Sequence, residues 1–229
     1  MAQTLKDEVR KRIEQAAIGQ LVQNGMHKTN MRDIAKNAGI TPGNLYRYFP
    51  SKDQLIISIT KPIIDGINII VQKETGIDID LSQKQRILPK TPMGMNKLTY
   101  MELILVEKLR NALIEIGELS VAYPLQMMIL LDDSIVSKHL YQWGISIIQK
   151  AYDDLFETIN IESDQINIMI NVVTMSFCEG VVELLKALLN DKDLNSYISM
   201  LDSYLFIQKA GIGELLKHEL INGNIKEKD

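Results

Sequence analysis

Residues 30–49 read Asn30-Met31-Arg32-Asp33-Ile34-Ala35-Lys36-Asn37-Ala38-Gly39-Ile40-Thr41-Pro42-Gly43-Asn44-Leu45-Tyr46-Arg47-Tyr48-Phe49. Two short helices are written here, a tight turn apart. Asn30 is a good N-cap, and Asp33 sets a carboxylate at the positive end of the first helix. Met31, Ile34, Ala35 and Ala38 fall at i, i+3, i+4 and i+7, one helical face. Gly39 follows where the chain can take positive φ without steric cost. Thr41 then caps a second helix, with Pro42 at its first position, where a missing N–H matters least. Leu45 and Phe49 face inward, so Tyr46, Arg47 and Tyr48 must spread around the rest of the helix. Ser51-Lys52-Asp53-Gln54 has the form of a capping box and opens a third helix.

Two helices joined by so short a turn must cross closely. Ala35 keeps the crossing small, Gly39 permits the turn, and Leu45 plugs the space between them. Upstream, Leu5, Val9, Ile13, Ala16, Ala17 and Leu21 form the apolar stripe of a helix over Leu5 to Val22, which Asn24-Gly25 stops. The outline is a helix-turn-helix, and double-stranded DNA is the leading partner.

The run Ile34-Ala35, Ala38-Gly39-Ile40, Gly43, Leu45-Tyr46, Tyr48-Phe49, Lys52 and Leu55, in this spacing, resembles the N-terminal signature of the TetR family of transcriptional regulators. The resemblance covers about the first quarter of the chain. It implies a recognition helix that enters a major groove. By position it implies that Arg32 reaches toward a base from the helix before. Pro42, Gly43 and Asn44 would face base edges, with Thr41 and Arg47 beside them, and Tyr46, Tyr48 and Lys52 would touch phosphates. Tyr48 stands where His is also frequent, and Asn30 where Thr or Ser is commoner.

Of 229 residues, 46% are hydrophobic and 24% charged, a soluble globular composition with room for one or two domains. Cys178 is the only cysteine, which excludes an intramolecular disulfide and fits a reducing compartment. The N-terminus lacks an apolar signal core, and no apolar run approaches a membrane span. The expected location is the cytoplasm. The total charge of −4 is unevenly spread. Residues 1–60 carry nine Lys/Arg against five Asp/Glu, a net of +4, leaving −8 for the remainder. A basic head on an acidic body suits a protein that meets phosphate at one end.

Beyond residue 51 the pattern is helical throughout, with no strand ladder. Helices are expected from Lys52 toward Lys73, Asn96 to Leu119, Lys138 to Thr158, Ser163 to about Leu189, and Leu194 to His218. Pro62, inside the first of these, predicts a kink or break. Residues 166–189 are apolar on every side and so need cover on every side. The cover is either a central place in the core or, on one face, a second subunit, and the second is the expectation. Val181, Val182, Leu185, Tyr197, Leu201 and Tyr204 are the candidate residues of a homodimer interface, and the resembled family pairs its two C-terminal helices in this way. Eleven methionines suit an adaptable apolar pocket. Its candidate lining is Tyr100, Met101, Ile104, Tyr123, Met127, Trp143 and Met175, for an apolar small-molecule effector.

Catalytic readings do poorly. There is no Gly-rich phosphate loop, nucleophile elbow or HExxH, and His27, His139 and His218 lack ligand spacing. No catalytic residue, metal or cofactor is expected. The reading is an all-α chain: a helix-turn-helix head over residues 1–51 and a helical ligand-binding and dimerisation domain over 52–229. Its expected function is that of a ligand-released repressor, a homodimer on a palindromic operator. One rival is a DNA-binding protein of the same fold without a small ligand, under the control of a protein partner or organising the chromosome. The other is a helical enzyme with a vestigial helix-turn-helix.

Overall fold

The computed structural model describes residues 2–75, 97–132 and 164–221. Among the described residues there are eight helices and no strand. They are α1 (Ala2–Lys28), α2 (Met31–Asn37), α3 (Pro42–Tyr48), α4 (Lys52–Thr75), α5 (Lys97–Ala122), α6 (Pro124–Asp132), α7 (Asp164–Asp191) and α8 (Leu194–Ile221). The expected helix over Lys138 to Thr158 and Trp143 lie outside the described residues.

The chain falls into two compact units. One takes Met1–Gly66 with Ala122–Lys138, the other Ile67–Val121 with His139–Asp229. In the first, α2 and α6 pack on α1, and α3 packs on α2. Ile13, Ala17, Ile34, Ala35, Leu45, Phe49, Leu55, Met127 and Leu130 are all buried there. In the second, α7 packs on α8, with Leu185, Leu188, Tyr197 and Leu201 buried.

Where the sequence predicts a stop, glycine breaks α1, which resumes beyond it to Lys28. Gly25 stands at φ 73°, ψ 171°, a conformation closed to residues with a side chain. Thr29, itself buried, sits at the freed carbonyls: its one hydroxyl hydrogen is within reach of Gly25 O at 2.8 Å and Gln20 O at 3.0 Å. Of the kink or break expected at Pro62, the break does not occur, for α4 runs on to Thr75. Proline removes a single N–H from the ladder. Leu55, Ile56, Ile59, Ile63, Ile67 and Val71 still form one buried stripe along the helix. By length and mean hydropathy (1.5 over Lys52–Lys73) α4 could cross a membrane, but that stripe marks it as a core helix.

In the second unit two tyrosines seat on glycines. A Cβ at Gly117 would lie 2.6 Å from Tyr197 Cε1, so only glycine leaves room for the ring. The Tyr197 hydroxyl donates to Leu113 O at 2.8 Å, and burial pushes its pKa well above the usual tyrosine range. Gly180 makes the same allowance for Tyr204, whose hydroxyl lies 3.1 Å from both Ser176 O and Phe177 O. Burial, then the neighbouring Cys178, push the Tyr204 pKa up to about 12. Arg110 and Asp202 join α5 to α8 through two hydrogen bonds of 2.5 and 3.0 Å, and the Arg110 bonds hold the Asp202 carboxyl below its ordinary pKa.

Candidate nucleic-acid interface

The two helices of the motif are capped as their sequence requires. Asn30 Oδ1 accepts from Asp33 N at 3.0 Å at the start of α2. At its end Gly39, at φ +68°, donates to Lys36 O at 3.1 Å, and Ile40 N donates to Ala35 O at 3.0 Å. That pair of bonds is a Schellman closure. One residue later Thr41 Oγ1 accepts from Asn44 N at 3.3 Å and starts α3. The turn between the helices is therefore bounded by a backbone closure at Gly39 and a side-chain cap at Thr41.

Leu45 and Phe49 anchor α3 inside the head, and both are fully buried. Everything else on the helix faces out. Thr41, Pro42, Gly43, Tyr46 and Arg47 are exposed, while Asn44 and Tyr48 are half-buried. Arg32, on α2, is exposed as well. The nine residues expected at DNA thus include six exposed and three half-buried side chains, all from α2, α3, their caps and the first turn of α4. These residues offer cations, hydroxyls and an amide, the groups that meet phosphates and base edges.

Lys52 has a second engagement that the sequence did not announce. Its ammonium donates to Met26 O, beside the break in α1. A cation at the carbonyl end of a helix complements the dipole there. An ammonium has three donors, so this bond leaves two for a phosphate.

The other candidate residues are more dispersed. Tyr100, Met101 and Ile104 lie in the first turns of α5. Tyr123 is exposed, and Met127 is wholly buried on α6. Met175 is exposed on α7, in line with Ile168 and Val172. Of the interface candidates, Val181, Val182 and Tyr204 are half-buried, whereas Leu185, Tyr197 and Leu201 are closed within the chain. Tyr197 is 0% exposed and has no surface to offer a second subunit. Sequence reasoning also missed Thr174 on α7. Its hydroxyl is buried without a hydrogen-bond partner. Thr60 and Ser120, buried on other helices, satisfy theirs at Ile56 O and Ile116 O. Among the described residues no group of three or more His, Cys, Asp or Glu gathers to hold a metal.

The family model described as "Bacterial regulatory proteins, tetR family" matches residues 13–59, which run from α1 through the motif into α4. Over these residues the chain carries the N-terminal sequence of the tetR family. Among relatives, it is 41% identical over 56 residues to the HTH-type transcriptional regulator RutR of Escherichia coli K12, 24% of this chain and 26% of that protein. It is 31% identical over 105 residues to the HTH-type transcriptional repressor KstR of Rhodococcus jostii RHA1, 43% of this chain and 50% of that protein. The chain thus spans half or less of the length of these relatives. The tetR fold extends further than the sequence likeness. A TetR-like regulator from Rhodococcus sp. RHA1 superposes with a TM-score of 0.58 at 15% identity, over 89% of this chain and 96% of that one. NalD, the secondary repressor of a multidrug efflux pump in Pseudomonas aeruginosa, gives 0.58 at 13% over 89% and 96%. All four are described as transcription regulators and none as an enzyme.

Proposed function

We propose that the protein is a cytoplasmic transcriptional repressor that binds a palindromic DNA operator as a homodimer and is released by an apolar small molecule. The head, residues 1–51, supplies the DNA contacts, and the remainder supplies the effector site and the second-subunit surface. One observation carries the reading. The α3 helix is anchored by buried Leu45 and Phe49 and presents Asn44, Tyr46 and Arg47 outward between two fixed caps. An ordinary helical hairpin has no need of a helix so short, so tightly held and so polar outside. The descriptions of KstR and NalD as repressors favour repression over activation here.

An apolar surface supports the homodimer. Ile168, Val172 and Met175 stand at i, i+4 and i+7 on α7, all exposed, and Phe206 and Ile207 are exposed on α8, Phe206 by 73%. Large side chains in a stripe of this kind mark an interaction face. The proposed interface therefore includes Ile168, Val172, Phe206 and Ile207 with Val181 and Val182, in place of the enclosed Leu185, Tyr197 and Leu201. The unpartnered Thr174 hydroxyl supports an effector that carries at least one polar group, since a buried hydroxyl without a partner costs about 1–3 kcal/mol. Light scattering tests the assembly. Wild type should be a dimer at micromolar concentration, and Val172→Asp should be a folded monomer. A monomeric wild type would refute the homodimer.

A further inference from the structure

Arg10 lies on α1, outside the helix-turn-helix sequence, and binds three partners at once. Its guanidinium covers the Phe49 ring, with Cζ 4.8 Å from the centroid. Its Nη2 donates to Ser58 Oγ at 2.9 Å. Ser58 Oγ in turn donates to Glu14 Oε1 at 2.7 Å, and Arg10 Nε reaches the same oxygen at 3.4 Å. The bonds close a ring between α1 and α4, and the cation sits over the ring of the residue that caps α3.

Stability alone is a poor account of this cluster. The Arg10 side chain is 49% exposed, and its ion pair with Glu14 is long. Pairs of that kind add little. What the cluster does fix is geometry. A planar fork meets Ser58, Glu14 and the ring face together in one arrangement of the three elements, and a point-charge ammonium has no such requirement. Phe49, 2% exposed, sets where α3 ends. The Lys52 bond to Met26 O makes a second tie between α1 and α4, nearer the start of α4.

We propose that Arg10, with Glu14 and Ser58, is a positioning residue for base reading: it holds α3 at the angle from which Asn44 and its neighbours meet base edges. The proposal rests on the reading that α3 enters a DNA groove. Base contacts depend on that angle, whereas attraction to phosphates depends on the number of cations and tolerates tilt. Loss of the clasp should therefore weaken specific binding selectively.

The test uses full-length protein, the duplex that wild type recovers from a random-sequence library, and a scrambled duplex of equal length and composition. Ser58→Ala removes one oxygen and no charge. It should weaken binding to the recovered duplex about fivefold to tenfold, the cost of one net hydrogen bond. Binding to the scrambled duplex should change by less than about twofold. Ser58→Thr, which keeps the hydroxyl, should restore the preference. Arg10→Lys, which keeps the charge and loses the fork, should show the same selective loss as Ser58→Ala. Equal weakening on both duplexes overturns the proposal. So does a lower melting temperature with the ratio of the two affinities left at the wild-type value. A wild type that recovers no preferred duplex overturns the underlying DNA reading instead, and is told apart because it appears before any variant is made.

Discussion

Gly25 and Gly39 look alike in the sequence, each closing a helix, yet the structure separates them. A Cβ built on either would meet nothing within 4 Å, so alanine at either site is free of steric crowding and reports backbone conformation alone. Gly39, at φ +68° in a Schellman closure, is left-handed helical. Alanine pays about 1–2 kcal/mol there and recovers about 0.4–1 from the stiffer unfolded chain, a net loss near 1 kcal/mol. Asparagine visits this region readily, so Gly39→Asn should lose only a few tenths. Gly25, at φ 73° and ψ 171°, lies where only glycine is at ease. Gly25→Ala should lose about 2 kcal/mol, and asparagine should not rescue it. On a chain of this size each kcal/mol moves the melting temperature by about 2–4 °C. Thermal melts by circular dichroism of Gly25→Ala, Gly25→Asn, Gly39→Ala and Gly39→Asn give the comparison. If Gly39→Asn melts as low as Gly39→Ala, or if Gly25→Asn melts near wild type, the backbone reasoning is wrong.

Other outcomes follow from single contacts. Thr174→Val should raise the melting temperature by several degrees, because it removes a buried hydroxyl that has no partner at a cost of about 1–3 kcal/mol; a drop would mean the hydroxyl is satisfied in solution. Tyr197→Phe removes the donor to Leu113 O and should cost about 1 kcal/mol by chemical denaturation, with an unchanged value arguing against that bond. Burial, then Glu179, push the Cys178 thiol from 9.0 up to about 11. Its folded pKa is raised, so its contribution to stability is intact below pH 9 and is lost as pH rises toward 11. Iodoacetamide should accordingly label native protein slowly at pH 9 and denatured protein fast, and equal rates would refute the burial. Lys52→Met should lower both the melting temperature, through Met26 O, and the slope of log affinity against log salt by about one unit; a change in only one of the two would leave Lys52 with a single role.

The head was legible because its signals are local. Asn30, Gly39, Thr41 and Pro42 act within three or four residues of themselves, and each takes the place its chemistry dictates. The Arg10 clasp and the Lys52 strap were not, because Ser58 is 48 residues from Arg10 and Met26 is 26 from Lys52. A polar residue on a wet helix face gives no sign of a partner so distant. The second unit was harder for another reason. Apolar residues on every side of α7 say that cover is needed and leave open whether the cover is intramolecular. Tyr197 proved internal, received by Gly117, and a glycine within α5 was the one available signal. At Pro62 the helix is not interrupted, because a missing N–H costs one bond, while the buried stripe from Leu55 to Val71 holds the helix together across it.

The central claim is that α3 reads DNA. Selection of a random-sequence duplex library with full-length protein, followed by sequencing of the bound fraction, tests it directly. The expected result is enrichment of an inverted repeat whose half-site centres lie about 34–36 Å apart or a multiple of it, and loss of discrimination at one position per half-site with Asn44→Ala. A bound fraction with no enriched sequence, or a motif unchanged by Asn44→Ala, Arg47→Ala and Arg32→Ala together, would contradict it.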